Sequence, residues 1–298
     1  MVQSMLTLKL TSSRATHSPP GRSVFKHKER TVDRFMTDKA TNKDIKPKNS
    51  IAYYDDVNHN YEDFWVGREY EHRAELIALD KLLEGRHYEV AMDYGGGYGR
   101  ISSAILAHAD RLILVDPSTK QLDIAKKFLK DYHNVEYIRV DEKDRIPAEA
   151  DSLDLLVMVR VSHHLPDPGP TIAEIHRSLK PGGNAIIEIA NEAHFVNRMR
   201  YLRHLQAVPK QPVPIGKNAN GITDNTPFVN HNPKTIERLF SQYGLKPISK
   251  LSVSNLRHHY IKEHLSVSRM LAIEKFFQGK LSVFDFGPSI FYLLGKAD

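Results

Sequence analysis

Three aspartates and a run of glycines carry the chemistry of this sequence. Asp93-Tyr94-Gly95-Gly96-Gly97-Tyr98-Gly99-Arg100 sets glycines at alternate positions, with an acid two residues ahead of the first. Glycines of this kind let the chain turn tightly and bring its backbone up to a ligand with no Cβ in the way, and a helix that follows offers unpaired N–H groups. The spacing is Gly-x-Gly-x-Gly, which departs from the Gly-x-Gly-x-x-Gly that seats a pyrophosphate. An acid at position 93 would repel a diphosphate and attract an ammonium. Asp116 stands seventeen residues after Gly99, where a carboxylate at the end of a strand can accept from both hydroxyls of a ribose. Asp141 ends the next expected strand, and it or the following amide is placed to read an adenine edge.

The elements that must position these residues follow from hydrophobic periodicity. Strands are expected over 88–94, 111–116, 135–140, 153–159 and 184–190, with helices over 99–108, 120–132 and 169–179 between them. That alternation implies right-handed βαβ units and a parallel sheet covered on both faces. The tips of three consecutive strands then carry Asp93, Asp116 and Asp141. One ligand spanning them has a cation, a ribose and a base but no phosphate, and S-adenosylmethionine has those parts.

The chain resembles a known family in five blocks that occur in order: Asp93-x-Gly95-x-Gly97-x-Gly99-Arg100, Val115-Asp116-Pro117-Ser118, Asp151-Ser152-Leu153-Asp154, His163-His164-Leu165-Pro166-Asp167-Pro168 and Leu179-Lys180-Pro181-Gly182-Gly183. These match class I S-adenosylmethionine-dependent methyltransferases, most nearly the type 11 branch that includes ubiquinone and menaquinone biosynthesis enzymes. The resemblance covers about residues 86–192 well and runs more loosely to the end. It implies a Rossmann-like, doubly wound α/β fold with a mostly parallel seven-stranded sheet and an antiparallel last strand. It also implies S-adenosylmethionine as cofactor. Asp93, Tyr94 and the backbone of Gly95, Gly96 and Gly97 would line its methionine portion, Asp116 with Pro117 its ribose, and Asp141 its adenine amino group. Arg160, with Val159, would pass beside the adenosine. Glu142 to Arg145 are more charged than the usual stretch, a departure that bears on the adenine contact.

The remaining chain supplies the acceptor side. An apolar pattern over 68–83 reads as a helix, preceded by the aromatics Tyr53, Tyr54, Tyr61, Phe64 and Trp65. A helix over 232–243 has Pro233 in its first turn and Gly244 after its end, followed by strands over 248–253 and 289–294. The resemblance would place the last antiparallel between strands five and six. Long connections over 191–231, with Arg198, Arg200 and Arg203, and over 255–279 are assigned to acceptor recognition, as lids form at the carboxyl edge of such sheets. The division is a 1–50 extension and one domain over 51–298, made of 51–85 as N-terminal lid helices, 86–192 as cofactor core, and insertions at 193–231 and 255–279.

Methyl transfer from a sulfonium needs alignment and exclusion of water more than covalent help. Some acceptors also need a base. His164 and His231 are the candidates, with Asp224 on the same insertion as His231; a structural role for the His163-His164 pair and for His231 is the competing reading. Where an Asn-Pro-Pro-Tyr motif would mark amino-group methylation of adenine or glutamine, Val159-Arg160-Val161-Ser162 stands instead. The sequence has no cysteine, which excludes disulfides, thiolate metal sites and covalent cytosine C5 chemistry, and no metal site is expected.

Charge argues for a small-molecule acceptor. The net +6 divides unevenly: residues 1–50 hold eleven Lys and Arg against four acids, and the remaining 248 hold 31 against 32. The body is nearly neutral, so it lacks the basic face that a large nucleic acid demands. The tail, poor in aromatics and broken by Pro19-Pro20-Gly21, reads as a disordered extension or one that precedes an internal start at Met36. A mitochondrial transit peptide and an arm for RNA or another anionic surface are its alternatives. The alternatives for the whole chain are an RNA- or ribosome-associated methyltransferase that uses this tail and a non-catalytic S-adenosylmethionine-binding module. No stretch approaches the length of a membrane span, and a cytoplasmic location is expected, or the mitochondrial matrix if the tail is a transit peptide.

Overall fold

Strands that are apolar on both faces need helices on both sides, and the computed structural model, which describes residues 65, 67–141, 145–215 and 228–297, has that form. The 1–50 extension, the aromatics at 53, 54, 61 and 64, residues 142–144 and Asp224 lie outside the described residues. The chain enters through α1 (Glu69–Leu83) and then alternates: β1 (Tyr88–Tyr94), α2 (Ser102–Leu106), β2 (Ala109–Asp116), α3 (Thr119–Phe128), β3 (Val135–Arg139) and β4 (Leu153–Met158). A 3₁₀ turn at Ser162–His164 leads to α4 (Gly169–Ser178), β5 (Leu179–Ala190) and α5 (Phe195–Arg203). A small ribbon of β6 (Val213–Pro214) and β7 (Val229–Asn230) precedes α6 (Pro233–Gln242), β8 (Leu245–Val253), α7 (His259–His264), α8 (Val267–Ser282) and β9 (Ser289–Lys296).

The sheet order is β3-β2-β1-β4-β5-β9-β8, with β9 antiparallel to both neighbours, so the expected seven-stranded architecture is present. The order reverses at β1 and β4, which opens a crevice at the carboxyl edge. Strand parity sorts the side chains into two layers. Ala91, Leu112, Leu155, Val157, Ile186, Phe291 and Leu293 point into a core shared with α1, α2 and α8. Met92, Ile113, Leu156, Ile187 and Tyr292 point into the opposite core under α4 and α6. Asp93 and Glu188 share the parity of Ala91 and Ile186, so the α1 face of the sheet carries both carboxylates.

Local chemistry explains the ends of elements. The Ser118 hydroxyl accepts from the Gln121 N–H at 3.1 Å and caps α3, and the Asn232 side chain caps α6 ahead of Pro233. Gly244 follows α6 at φ +78°, which glycine adopts without a Cβ penalty.

Two segments expected on the acceptor side also build the core. α1 is a layer of the fold: Ala74, Ala78, Leu79 and Leu83 have no exposure. Segment 255–279 contains α7 and most of α8, and α8 lies on α1 and β8 through Met270 and Leu271. Its buried polar residues, Glu274 and Gln278, hydrogen-bond to Tyr70 and to the Ala74 carbonyl on α1. Among the described residues, no helix is long and apolar enough to cross a membrane.

Candidate active site at the carboxyl edge of the sheet

The turn after β1 is built by glycine and closed onto β2. The N–H groups of Gly95 and Gly96 both donate to the Val115 carbonyl, at 2.8 and 3.1 Å. Gly95 sits at φ +73°, and a Cβ there would collide with the Val161 side chain; one at Gly96 would lie 2.8 Å from the Asp93 carboxyl carbon. Asp93 itself is turned beneath this loop. It is 1% exposed and accepts from the Ser102 hydroxyl at 2.7 Å. Burial pushes its pKa up to about 6, opposed by the Ser102 bond and by Arg100 and aided by the Asp116 charge.

Asp116 ties two loops together. One carboxylate oxygen accepts from the Gly97 N–H at 2.8 Å and the other from the Ser118 N–H at 2.9 Å. In the first turn of α3 the Gln121 side chain is 1% exposed, and neither of its amide atoms has a hydrogen-bond partner among the described residues. A buried amide of this kind costs free energy unless something polar meets it, so the neighbourhood of Asp116 fits a ligand rich in donors and acceptors. Tyr94 is buried, Pro117 is half-buried, and the Pro117 carbonyl accepts from Arg139 at 3.3 Å.

Asp141 does not join the other two aspartates. Its carboxylate is 76% exposed and pairs with Arg139 at 2.8 Å, because two residues of irregular chain carry it beyond the end of β3.

Arg160, just past β4, is held from two sides. Its guanidinium Nε donates to Glu75 on α1 at 2.7 Å, and its backbone N–H donates to Glu188 on β5 at 3.1 Å. It adopts φ +63°, a conformation that a side chain disfavours and that these two contacts fix. Arg100, from the glycine loop, meets the other oxygen of Glu75 at 2.6 Å, hydrogen-bonds to His72 and stacks 3.7 Å from the Trp65 ring centroid. Glu75 has no exposure. Burial raises its pKa, yet Arg160 and Arg100 outweigh that and hold it below the ordinary carboxylate value. Glu188 is also buried, and for it burial prevails: its pKa is raised.

These carboxylates were not singled out from the sequence. The signal for Glu75 was a charge on the apolar stripe of α1, between Ala74 and Ala78. For Glu188 it was a charge inside the run Ile186-Ile187-Glu188-Ile189.

The candidate bases differ in accessibility. His231 is 1% exposed, and its Nε2 donates to the Ser162 carbonyl at 3.0 Å, while its backbone bridges Ala190 and Glu192. Burial lowers its pKa, and the ring serves as a neutral clamp between β5, β7 and the 3₁₀ turn. His164 is half-buried; its ring lies 4.2 Å from His163 and 4.9 Å from Phe228. Burial, then His164 and Arg160, hold His163 well below its usual value.

Comparison with known proteins bears on the family and the fold. Residues 92–187 match the family model described as a methyltransferase domain. The ubiquinone biosynthesis O-methyltransferase of Coxiella burnetii is 22% identical over 202 residues, covering 67% of this chain and 80% of that protein. Among solved structures, an S-adenosylmethionine-dependent methyltransferase of Thermotoga maritima, a possible histamine N-methyltransferase, superposes with a TM-score of 0.53 at 19% identity, covering 80% of this chain and 94% of that one. The N-methyltransferase NodS of Bradyrhizobium japonicum, in complex with S-adenosyl-L-homocysteine, gives 0.50 at 14% identity, covering 77% and 89%.

Proposed function

We propose, from the premise that this chain carries a class I S-adenosylmethionine-dependent methyltransferase domain of type 11, that it transfers a methyl group to a small-molecule acceptor. The observation that carries the reading is Asp116, whose carboxylate joins the glycine loop to the start of α3 at the carboxyl edge of the sheet, the place where a ribose would lie. Gly95, Gly96 and Gly97 would bring backbone to the methionine portion, and the Gln121 amide would meet a polar edge of the nucleoside. Asp93, already bonded to Ser102, would act from beneath the loop by fixing its shape. When bound, S-adenosylmethionine supplies a methyl group made electrophilic by the adjacent sulfonium charge.

The chain's own part is to hold the acceptor in line and keep water out. Residues 86–192 would form the cofactor half of one domain over 51–298. Arg160, the 3₁₀ turn and the segment after β5 would form the acceptor wall. His164 would serve acceptors that need a base, and His231 would hold the wall in place. A small-molecule acceptor is supported by the near-neutral body and by the quinone-pathway relative.

Calorimetric titration of the purified chain with S-adenosylmethionine, S-adenosylhomocysteine and NADH tests the reading. Micromolar binding of the first two and none of NADH is expected. Binding of NADH alone would replace the reading with a dehydrogenase, and silence from all three would leave only the fold in common with methyltransferases.

A further inference from the structure

The acceptor side of the edge contains a cation that the protein positions but does not neutralise. The loop after β8 is gripped at successive residues: Glu274 accepts from the Ser254 N–H at 2.8 Å and the Asn255 N–H at 3.2 Å, and the Tyr70 hydroxyl accepts from the Leu256 N–H at 2.9 Å. Ser254 is locked at φ +61°, and the Arg257 N–H closes the turn on the Ser254 carbonyl at 3.3 Å. The backbone under Arg257 is therefore fixed. The residue is exposed, and its side chain makes no hydrogen bond or ion pair to any described residue.

The surroundings sharpen the point. Desolvation by the surrounding protein and repulsion from Arg160 lower the pKa of Arg257, with Arg68 adding to the repulsion and Glu71 and Glu188 opposing it. Neither acid is free to pair. Glu71 is taken by Lys262 at 2.6 Å, and Glu188 accepts from the Arg160 N–H and the Ser289 hydroxyl. His194, just past β5, has its pKa pushed down to about 4 by burial and then by Arg257, Arg200 and Arg198, so it is neutral near pH 7. Of those arginines, Arg198 already meets Asp285 at 3.3 Å.

We propose that Arg257, beside His194, is a specificity-determining residue that holds a carboxylate carried by the methyl acceptor. A planar guanidinium with five donors binds two carboxylate oxygens at once, and no described residue occupies the fork of Arg257. Its place argues for the acceptor over the cofactor. β8 lies four strands from β1 in the sheet, about 19 Å at the usual strand spacing of about 4.8 Å, on the side away from Asp116 and the glycine loop. Arg160 and Glu188, the groups that Arg257 senses, stand after β4 and on β5, between the two. The assignment rests on the methyltransferase reading above.

The test keeps the two apart. Wild type, Arg257→Gln and Arg257→Lys are first titrated with S-adenosylhomocysteine. They are then titrated, saturated with it, with 3,4-dihydroxybenzoate and with catechol, which differ by the carboxylate alone. Equal S-adenosylhomocysteine affinity in all three is expected. Dihydroxybenzoate should bind wild type more tightly than catechol, lose at least tenfold in Arg257→Gln and recover partly in Arg257→Lys, while catechol is indifferent to the substitutions. Dihydroxybenzoate binding that is absent, no tighter than that of catechol or unchanged in Arg257→Gln overturns the proposal and leaves the methyltransferase reading standing. A tenfold loss of S-adenosylhomocysteine affinity in Arg257→Gln also overturns it, by giving the cation to the cofactor. Failure of wild type to bind S-adenosylhomocysteine removes both.

Discussion

Glu75 on α1 and Arg160 after β4 meet at 2.7 Å although 85 residues separate them, and Arg100 completes the site from the glycine loop. One carboxylate with no exposure thus fixes the entry helix, the first turn and the fourth strand tip relative to one another. Removing its charge leaves two guanidinium groups facing each other in a region largely closed to water. Glu75→Gln should cost about 3–5 kcal/mol of stability, as loss of one partner from a buried ion pair does. Urea unfolding followed by far-UV circular dichroism measures it; a loss under 1 kcal/mol would show that the arginines find other partners. Because the two arginines hold the Glu75 pKa below its unfolded value, its contribution is present above that unfolded value and is lost as pH falls through the folded one.

Asp116 is structural as well as a ligand candidate, so its substitutions should separate. Asp116→Ala strands the Gly97 and Ser118 N–H groups as well as any ribose hydroxyl. Asp116→Asn keeps one acceptor oxygen. The alanine variant is expected to lose about 1–3 kcal/mol of S-adenosylhomocysteine affinity and to melt earlier, and the asparagine variant to lose less of both. Calorimetry and thermal melting together check this, and an unchanged affinity in Asp116→Ala would remove the ribose assignment.

His231 offers a contrast between structure and chemistry. With its Nε2–H on the Ser162 carbonyl, His231→Ala should cost about 2–4 kcal/mol, combining a cavity with an unsatisfied carbonyl, while S-adenosylhomocysteine affinity is kept. Chemical denaturation and calorimetry on the same preparation decide it. Full stability in the alanine variant would return His231 to the list of candidate bases.

The sheet was legible because parallel strands covered on both faces write themselves as short apolar runs between turn residues. Every strand of the main sheet expected over 88–190 is found, within a few residues. β5 starts at Leu179, ahead of the expected 184, because Leu179 pairs with Leu153 before an irregularity at Pro181-Gly182-Gly183 and the regular ladder from Asn184. α8 was hidden for a physical reason. Its buried side includes Glu274 and Gln278, which are satisfied by Tyr70 and the Ala74 carbonyl some two hundred residues away, so its burial leaves no clean apolar period. The site divides the same way. Asp93, Asp116 and the glycines follow from local spacing, whereas Glu75, Glu188 and Arg257 acquire meaning only once distant segments meet. The pairing of Asp141 with Arg139, two residues apart at the end of β3, was not legible from spacing either.

Asp93 and the buried histidines should impose opposite pH dependences. The Asp93 pKa rises from 3.8 to about 6 on folding, so folding retains a proton that the unfolded chain releases; stability from this group is present below pH 4 and is lost as pH rises to 6. The full difference corresponds to about 3 kcal/mol. For His163, His194 and His231 the folded pKa lies below the unfolded value of 6.5, so their cost to stability grows as pH falls beneath that value. In the wild type the two trends offset each other between pH 4 and 6. Asp93→Asn keeps an oxygen for the Ser102 hydroxyl but cannot titrate, and it should expose the histidine trend as a steeper acid decline. Relative to wild type, the variant is expected to be about 3 kcal/mol better placed at pH 7 than at pH 4, measured by urea unfolding across that range. Parallel pH profiles for the two proteins would mean that Asp93 is ionised throughout, and that the bond from Ser102 and the field of Arg100 outweigh burial.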